Sequence, residues 1–114
     1  MARAAGSRTF SVEWTVAASD DLNEILGYIL ARDPRHALKV NDDIGAKAEA
    51  LDHMPQRGRI IPELKFHGVM NYRELLIGPW RLMYRIEGNT VWIVSLLDGR
   101  RQLEDLLLER FLRS

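Results

Sequence analysis

Cysteine is absent from the 114 residues, and only 4 prolines and 8 glycines interrupt them. Without thiols there is no disulfide, no thiolate metal site and no cysteine nucleophile, and a reducing cytoplasm is the expected compartment. No apolar run reaches the length of a membrane span. The opening stretch MARAAGSRTF lacks the continuous apolar core of a secretion signal. Neither sign of charge dominates, with 16 basic and 16 acidic residues. Nor is there a glycine-rich phosphate loop, a metal-ligand spacing or a serine triad signature. No cofactor is implied.

What is present suits one folded domain, expected over residues 1–114 with residues 1–8 flexible. Hydrophobic residues make up 46% of the chain, enough to bury a core. The balanced charge is unevenly spread. Glu13 to His53 holds nine acids against four bases, and Arg57 to Arg101 holds eight bases against four acids. Two surfaces with different partners would produce that asymmetry, and so would chance in a small domain.

Periodicity orders the elements. Phe10, Val12 and Trp14 alternate as in a half-buried strand. A helix follows, with Thr15 or Ser19 as its N-cap, acids Asp20, Asp21 and Glu24 near its start, and a stripe of Leu22, Ile25, Leu26 and Ile29. Asp33-Pro34 stops that helix and starts another, whose stripe is Ala37, Val40, Ile44, Ala48 and Leu51. Met54-Pro55 ends it. So short a connection predicts a helical hairpin. Gln56 to Gly68 reads as a loop. Three strands then follow, Met70 to Ile77, Trp80 to Glu87 and Thr90 to Leu97, turned by Gly78-Pro79 and Gly88-Asn89. The run from Val91 to Val94 is apolar on both faces, which places it centrally in the sheet. A last helix, Arg101 to Leu112, carries more leucine than one face can hide. It either meets a partner or tucks into its own core. The expected fold is α+β, in the order β-α-α-β-β-β-α, with the hairpin packed on an antiparallel sheet and a short C-terminal helix.

Within YRELLIGPWRLMYRI, alternation puts Arg81 and Arg85 on one face. Placed on the same open face, Arg73 would join them, with Tyr72, Glu74, Trp80, Leu82 and Tyr84 turned to the helices. Arg57, Arg59, Lys65, Arg100 and Arg101 would border the patch. Clustered guanidinium groups grip phosphates and carboxylates, but long cations also simply solvate a sheet. Arginine is a poor proton carrier. Of His36, His53 and His67, only His67 lies in the loop beside the basic strands.

The residues now carry a resemblance. WTVAASDDLNEILGYI, DPRHALKVNDDI, MPQRGRIIPEL, the YRELLIGPWRLMYRI meander and DGRRQLEDLL occur in the order found in the RelE/ParE toxin superfamily. That resemblance implies a toxin neutralised by a cognate antitoxin, or else a binding module that keeps the fold without the toxicity. RelE-like members cut messenger RNA on the ribosome, and ParE-like members inhibit DNA gyrase and trap its cleaved complex with DNA. Arg73, Arg81 and Arg101 fall at cationic positions of the nuclease site, with His67 the one local proton carrier. Leu75 replaces a second lysine, and no tyrosine follows Tyr84. Asp98 stands where many relatives of the ParE branch have histidine before the GRR. The ParE-like branch is the closer pattern. The antitoxin would contact the basic face, the groove of the hairpin and the leucines Leu106, Leu108 and Leu112, and an acidic amphipathic tail would suit them.

Overall fold

The computed structural model describes residues 9–99 together with Leu107, Arg110 and Phe111. The sheet has five strands in the order β1-β5-β4-β3-β2. They are β1 (Ser11–Trp14), β2 (Arg59–Ile60), β3 (Arg73–Ile77), β4 (Trp80–Glu87) and β5 (Thr90–Asp98). The helical hairpin is α1 (Val16–Leu30) and α2 (Pro34–Glu49), and a single turn forms α3 (Pro62–Lys65).

Local chemistry sets the helix ends. Thr15, not Ser19, caps α1, its Oγ1 accepting from the Ala18 amide at 3.2 Å. That start leaves no acid in the first turn, so Asp20 and Asp21 do not serve the helix dipole. Asp33 caps α2, with Oδ1 accepting from the Arg35 and His36 amides, and Pro34 takes the first helical position. The helix ends at Glu49, five residues before Met54-Pro55, and a 3₁₀ turn continues it through Asp52. Met54 then reverses the chain in a left-handed conformation, φ 49°.

The meander forms as its turns require. Ile77 pairs with Trp80 and Glu87 with Thr90, so each hairpin turns on two residues. Gly78 and Gly88 take the positive φ at the first turn position, which suits the twist of the flanking strands. The sheet is not wholly antiparallel. The strand β1 runs parallel to β5, placing the apolar β5 between β1 and β4. A bulge in β5 opposite Met83 and Tyr84 shifts its register.

The expected stripe of α2, Ala37, Val40, Ile44, Ala48 and Leu51, is fully buried. Val40, Ile44, Ala48 and Leu51 of it pack with Leu82, Tyr84, Val91, Ile93 and Leu96 from the sheet. The stripe of α1 is only half-buried along Leu22, Ile25, Leu26 and Ile29. A second cluster lies apart from the hairpin core, where Ile61, Leu64, Met83, Val94 and Leu107 are buried together. The predicted loop from Gln56 to Gly68 is thus largely ordered, supplying β2, α3 and two core residues. Most of the predicted C-terminal helix falls outside the described residues. Leu107, Arg110 and Phe111 are helical, and Phe111 stacks on Tyr72 with centroids 4.6 Å apart.

Candidate functional site

The two-residue turn between β3 and β4 decides which arginines meet. Because Ile77 opposes Trp80, Arg73 opposes Tyr84 and Leu76 opposes Arg81. Directly opposed residues share a face. Arg73 therefore lies on the face of Tyr84, not on that of Arg81, and the expected trio of Arg73, Arg81 and Arg85 on one open face does not form. Likewise Glu74 and Leu76 share the face of Arg81 rather than covering the hairpin. A shift of one position in register exchanges every side chain between faces, and this is such a shift.

Arg73 serves the backbone. Its terminal nitrogen donates to the carbonyls of Gln56 at 3.1 Å and Gly58 at 2.8 Å. Beside it Tyr84, fully buried, donates its hydroxyl to the Pro55 carbonyl at 2.6 Å. Burial pushes the phenol above its ordinary value. These contacts tie the turn at residues 55–58 to the sheet.

Arg81 is 6% exposed and gripped by two carboxylates. Its Nε donates to Glu74 Oε1 at 2.6 Å and one terminal nitrogen to Glu74 Oε2 at 3.0 Å. Its two terminal nitrogens donate to the two oxygens of Glu63 at 2.7 Å each. Four of the five guanidinium N–H groups are thereby engaged. Arg59 adds a 2.7 Å bond from Nε to Glu74 Oε2. Arg59, Glu74, Arg81 and Glu63 thus form a chain of alternating charge with no net charge. Hydrogen bonds from Arg81 hold the Glu63 carboxyl below its ordinary range, and the two acids raise the pKa of Arg81.

The other predicted cations lie apart. Arg57 and Lys65 are exposed, and Arg85 makes a loose 3.4 Å contact with Glu87. His67 is exposed in the turn after α3, its ring edge-on to Phe66 at 5.2 Å. Arg100, Arg101, Leu106, Leu108 and Leu112 lie outside the described residues. Among the described residues no acid or histidine group is arranged to hold a metal, and no helix is long and apolar enough to cross a membrane.

One feature escaped the sequence. Past Ile93, where β1 ends, β5 runs on with no strand on its β1 side among the described residues. There Asp21 Oδ2 accepts from the Leu96 amide at 3.0 Å, from Ser95 Oγ at 3.2 Å and from Arg110 at 2.9 Å. Nothing local in the sequence links these residues. The groove of the hairpin, which the sequence did put forward, is about 880 Å³ in volume and lies between the hairpin and the β3–β4 turn. Ile25, Tyr28, Ile29, Val40, Ile77 and Trp80 give it apolar walls, and Glu24, Asp33, Asp43 and Asp98 stand among its lining residues. The half-buried stripe of α1 is one of those walls.

Residues 12–103 match the family model described as the ParE toxin of type II toxin–antitoxin systems, parDE. The chain is 28% identical over 98 residues to Toxin RelE1 of Caulobacter vibrioides, covering 82% of this chain and 98% of that one. In fold it is similar to a chain of the chromosomal ParDE system from P. aeruginosa, with a TM-score of 0.64 and 23% identity over 79% of this chain and 96% of that one. It is also similar to a chain of the RelBE2 toxin–antitoxin complex from Mycobacterium tuberculosis, with a TM-score of 0.55 and 22% identity over 80% and 92% of the two chains.

Proposed function

The chain belongs to the ParE toxin family of type II toxin–antitoxin systems, and from that premise we propose that it arrests growth by binding DNA gyrase and performs no chemistry of its own. One observation carries this reading. Arg81, the residue that the resemblance sets at a nuclease's catalytic arginine, is buried and doubly paired with Glu63 and Glu74. An arginine that stabilises a phosphorane must meet the phosphate with free N–H groups. Arg73 is turned to the opposite face and bound to backbone carbonyls. RNA cleavage also needs a proton carrier near the cations. His67 is the histidine the sequence put forward, and it sits in an exposed turn beside Phe66.

The toxin acts in the cytoplasm and is neutralised there by a cognate antitoxin. The groove beside α1 supports that partnership. Its apolar walls are large enough to accept one face of an amphipathic helix.

Purified chain is mixed with gyrase, supercoiled plasmid and ATP, then treated with detergent and protease. Linear DNA that disappears when antitoxin is added is the expected result. Unaltered supercoiling by a chain that still arrests growth would sink the gyrase reading. The name of the Caulobacter relative favours a second reading, a RelE-like messenger RNA endonuclease. Primer extension on translated transcripts checks it, and intact messages would exclude it.

A further inference from the structure

The edge of β3 beside Arg59 has the makings of a docking site. The strand β2 pairs with β3 only at Arg59–Glu74 and Ile60–Arg73. Beyond Glu74 the outer edge of β3 has no strand beside it among the described residues. Ile77 closes a two-residue turn against Trp80, so Ile77 and Leu75 direct their backbone polar groups to β4. Leu76 therefore directs its N–H and C=O to the open side. The residue is 59% exposed and stands on the face of Arg81.

A pocket of about 270 Å³ adjoins this edge, lined by Arg59, Leu76, Pro79, Trp80, Arg81 and Gly99. No carboxylate lines it among the described residues. Arg81 is occupied, but Arg59 is committed through Nε alone, and its terminal nitrogens make no hydrogen bond among the described residues. Arg59's side chain is 55% exposed. Glycine at position 99 keeps the floor clear, since a Cβ there would come within 3.0 Å of the Arg81 stem and 3.2 Å of the Pro79 carbonyl.

We propose that this pocket and the Leu76 edge dock an extended acidic segment of a protein partner. A carboxylate of the segment takes the two terminal nitrogens of Arg59 in bidentate fashion. The segment's backbone pairs with the N–H and C=O of Leu76, and an apolar side chain beside the carboxylate lies against Leu76 and Trp80. The chemistry favours protein over nucleic acid. A polyanion needs repeated phosphate contacts, whereas this site offers one open guanidinium edge within a charge chain that sums to zero. An exposed leucine and backbone groups without a strand beside them among the described residues suit a peptide strand. This inference rests on the reading that a protein partner holds the chain, and it names the chemistry of one contact.

The test uses the full chain and three labelled probes, followed by fluorescence anisotropy. They are a short peptide alternating Glu with Leu, one alternating Lys with Leu, and a single-stranded RNA oligonucleotide. The Glu peptide is expected to bind the native chain, and to bind about tenfold more weakly to Arg59→Gln, the loss of one charge-assisted contact. Leu76→Asp, which leaves the ion chain intact, is expected to weaken it similarly, and Arg85→Gln to leave it unchanged. Circular dichroism melts establish that each variant is folded. Glu-peptide binding indifferent to both Arg59→Gln and Leu76→Asp overturns the proposal. So does equal binding of the Lys peptide, and so does Arg59-dependent binding of the RNA. Co-purification with the full antitoxin separates the two levels. An antitoxin complex insensitive to Arg59 and Leu76 removes this site and leaves the toxin reading standing. Glu-peptide binding at Arg59 with no antitoxin complex does the reverse.

Discussion

The hydroxyl of Tyr84 accepts a 3.0 Å hydrogen bond from the amide of Gly58, and in doing so it leaves Gly58 no room for a side chain. A Cβ at position 58 would press into that hydroxyl and come within 2.7 Å of the Glu74 carbonyl. Gly58→Ala is expected to cost about 1–3 kcal/mol by overpacking. Tyr84→Phe should cost about 1–3 kcal/mol by leaving the Pro55 carbonyl and Gly58 amide without their partner. The double variant should lose less than the sum, because removing the hydroxyl relieves part of the clash. Urea denaturation of the three variants measures all of this.

The charge chain predicts an asymmetry among arginines. Arg81→Gln removes the buried cation shared by Glu63 and Glu74, leaving Glu74, whose side chain is 0% exposed, with Arg59 alone, and is expected to cost up to about 3–5 kcal/mol. Arg85→Gln removes a loose surface contact and should cost less than about 1 kcal/mol. Comparable losses at the two positions, read by denaturant titration, would contradict the buried network.

Acid should act through Glu63. Its carboxyl is held below the ordinary value of 4.5, chiefly by the hydrogen bonds from Arg81. A depressed folded value gives stability that is present above 4.5 and lost as pH falls through the lower folded value. Tyr84 works at the other end. Its raised value gives stability present below 10.0 and lost as pH rises beyond it. Stability measured across pH should therefore fall at both extremes. Glu63→Gln should flatten the acid limb, and Tyr84→Phe the alkaline one.

At the edge of β5 beyond the end of β1, Asp21 substitutes for a missing strand. Asp21→Asn is expected to cost about 1–3 kcal/mol, since an amide cannot offer the Arg110 guanidinium a charge. Hydrogen exchange at the Leu96 amide should quicken with it. Exchange unchanged in the variant would show that the carboxylate's charge does not guard this edge.

What the sequence disclosed was local. Asp33-Pro34 announced a cap, the α2 stripe announced a buried face, and the glycine pairs announced two hairpins. The site was less legible because its contacts are distant in the chain. Arg81 meets Glu63 and Glu74 from another element and another strand, and Asp21 meets Arg110 across nearly the whole sequence. The facing of Arg73 was in principle readable. Two residues in the Gly78-Pro79 turn force Ile77 opposite Trp80, which pairs odd positions of β3 with even positions of β4. The parallel pairing of β1 had no comparable signal, because no turn connects β1 to β5.

That pairing has a consequence in time. Ser11 lies beside Thr90 and Trp14 beside Ile93, so the first strand waits for the last. A chain leaving the ribosome at roughly 5–20 residues per second would expose the apolar side of its hairpin for seconds before β5 arrives to cover it. Such long-range closure is intrinsically slow. Synthesis itself thus imposes a delay between the birth of this molecule and its completed sheet, an interval during which a partner already in the cell has the chance to meet it first.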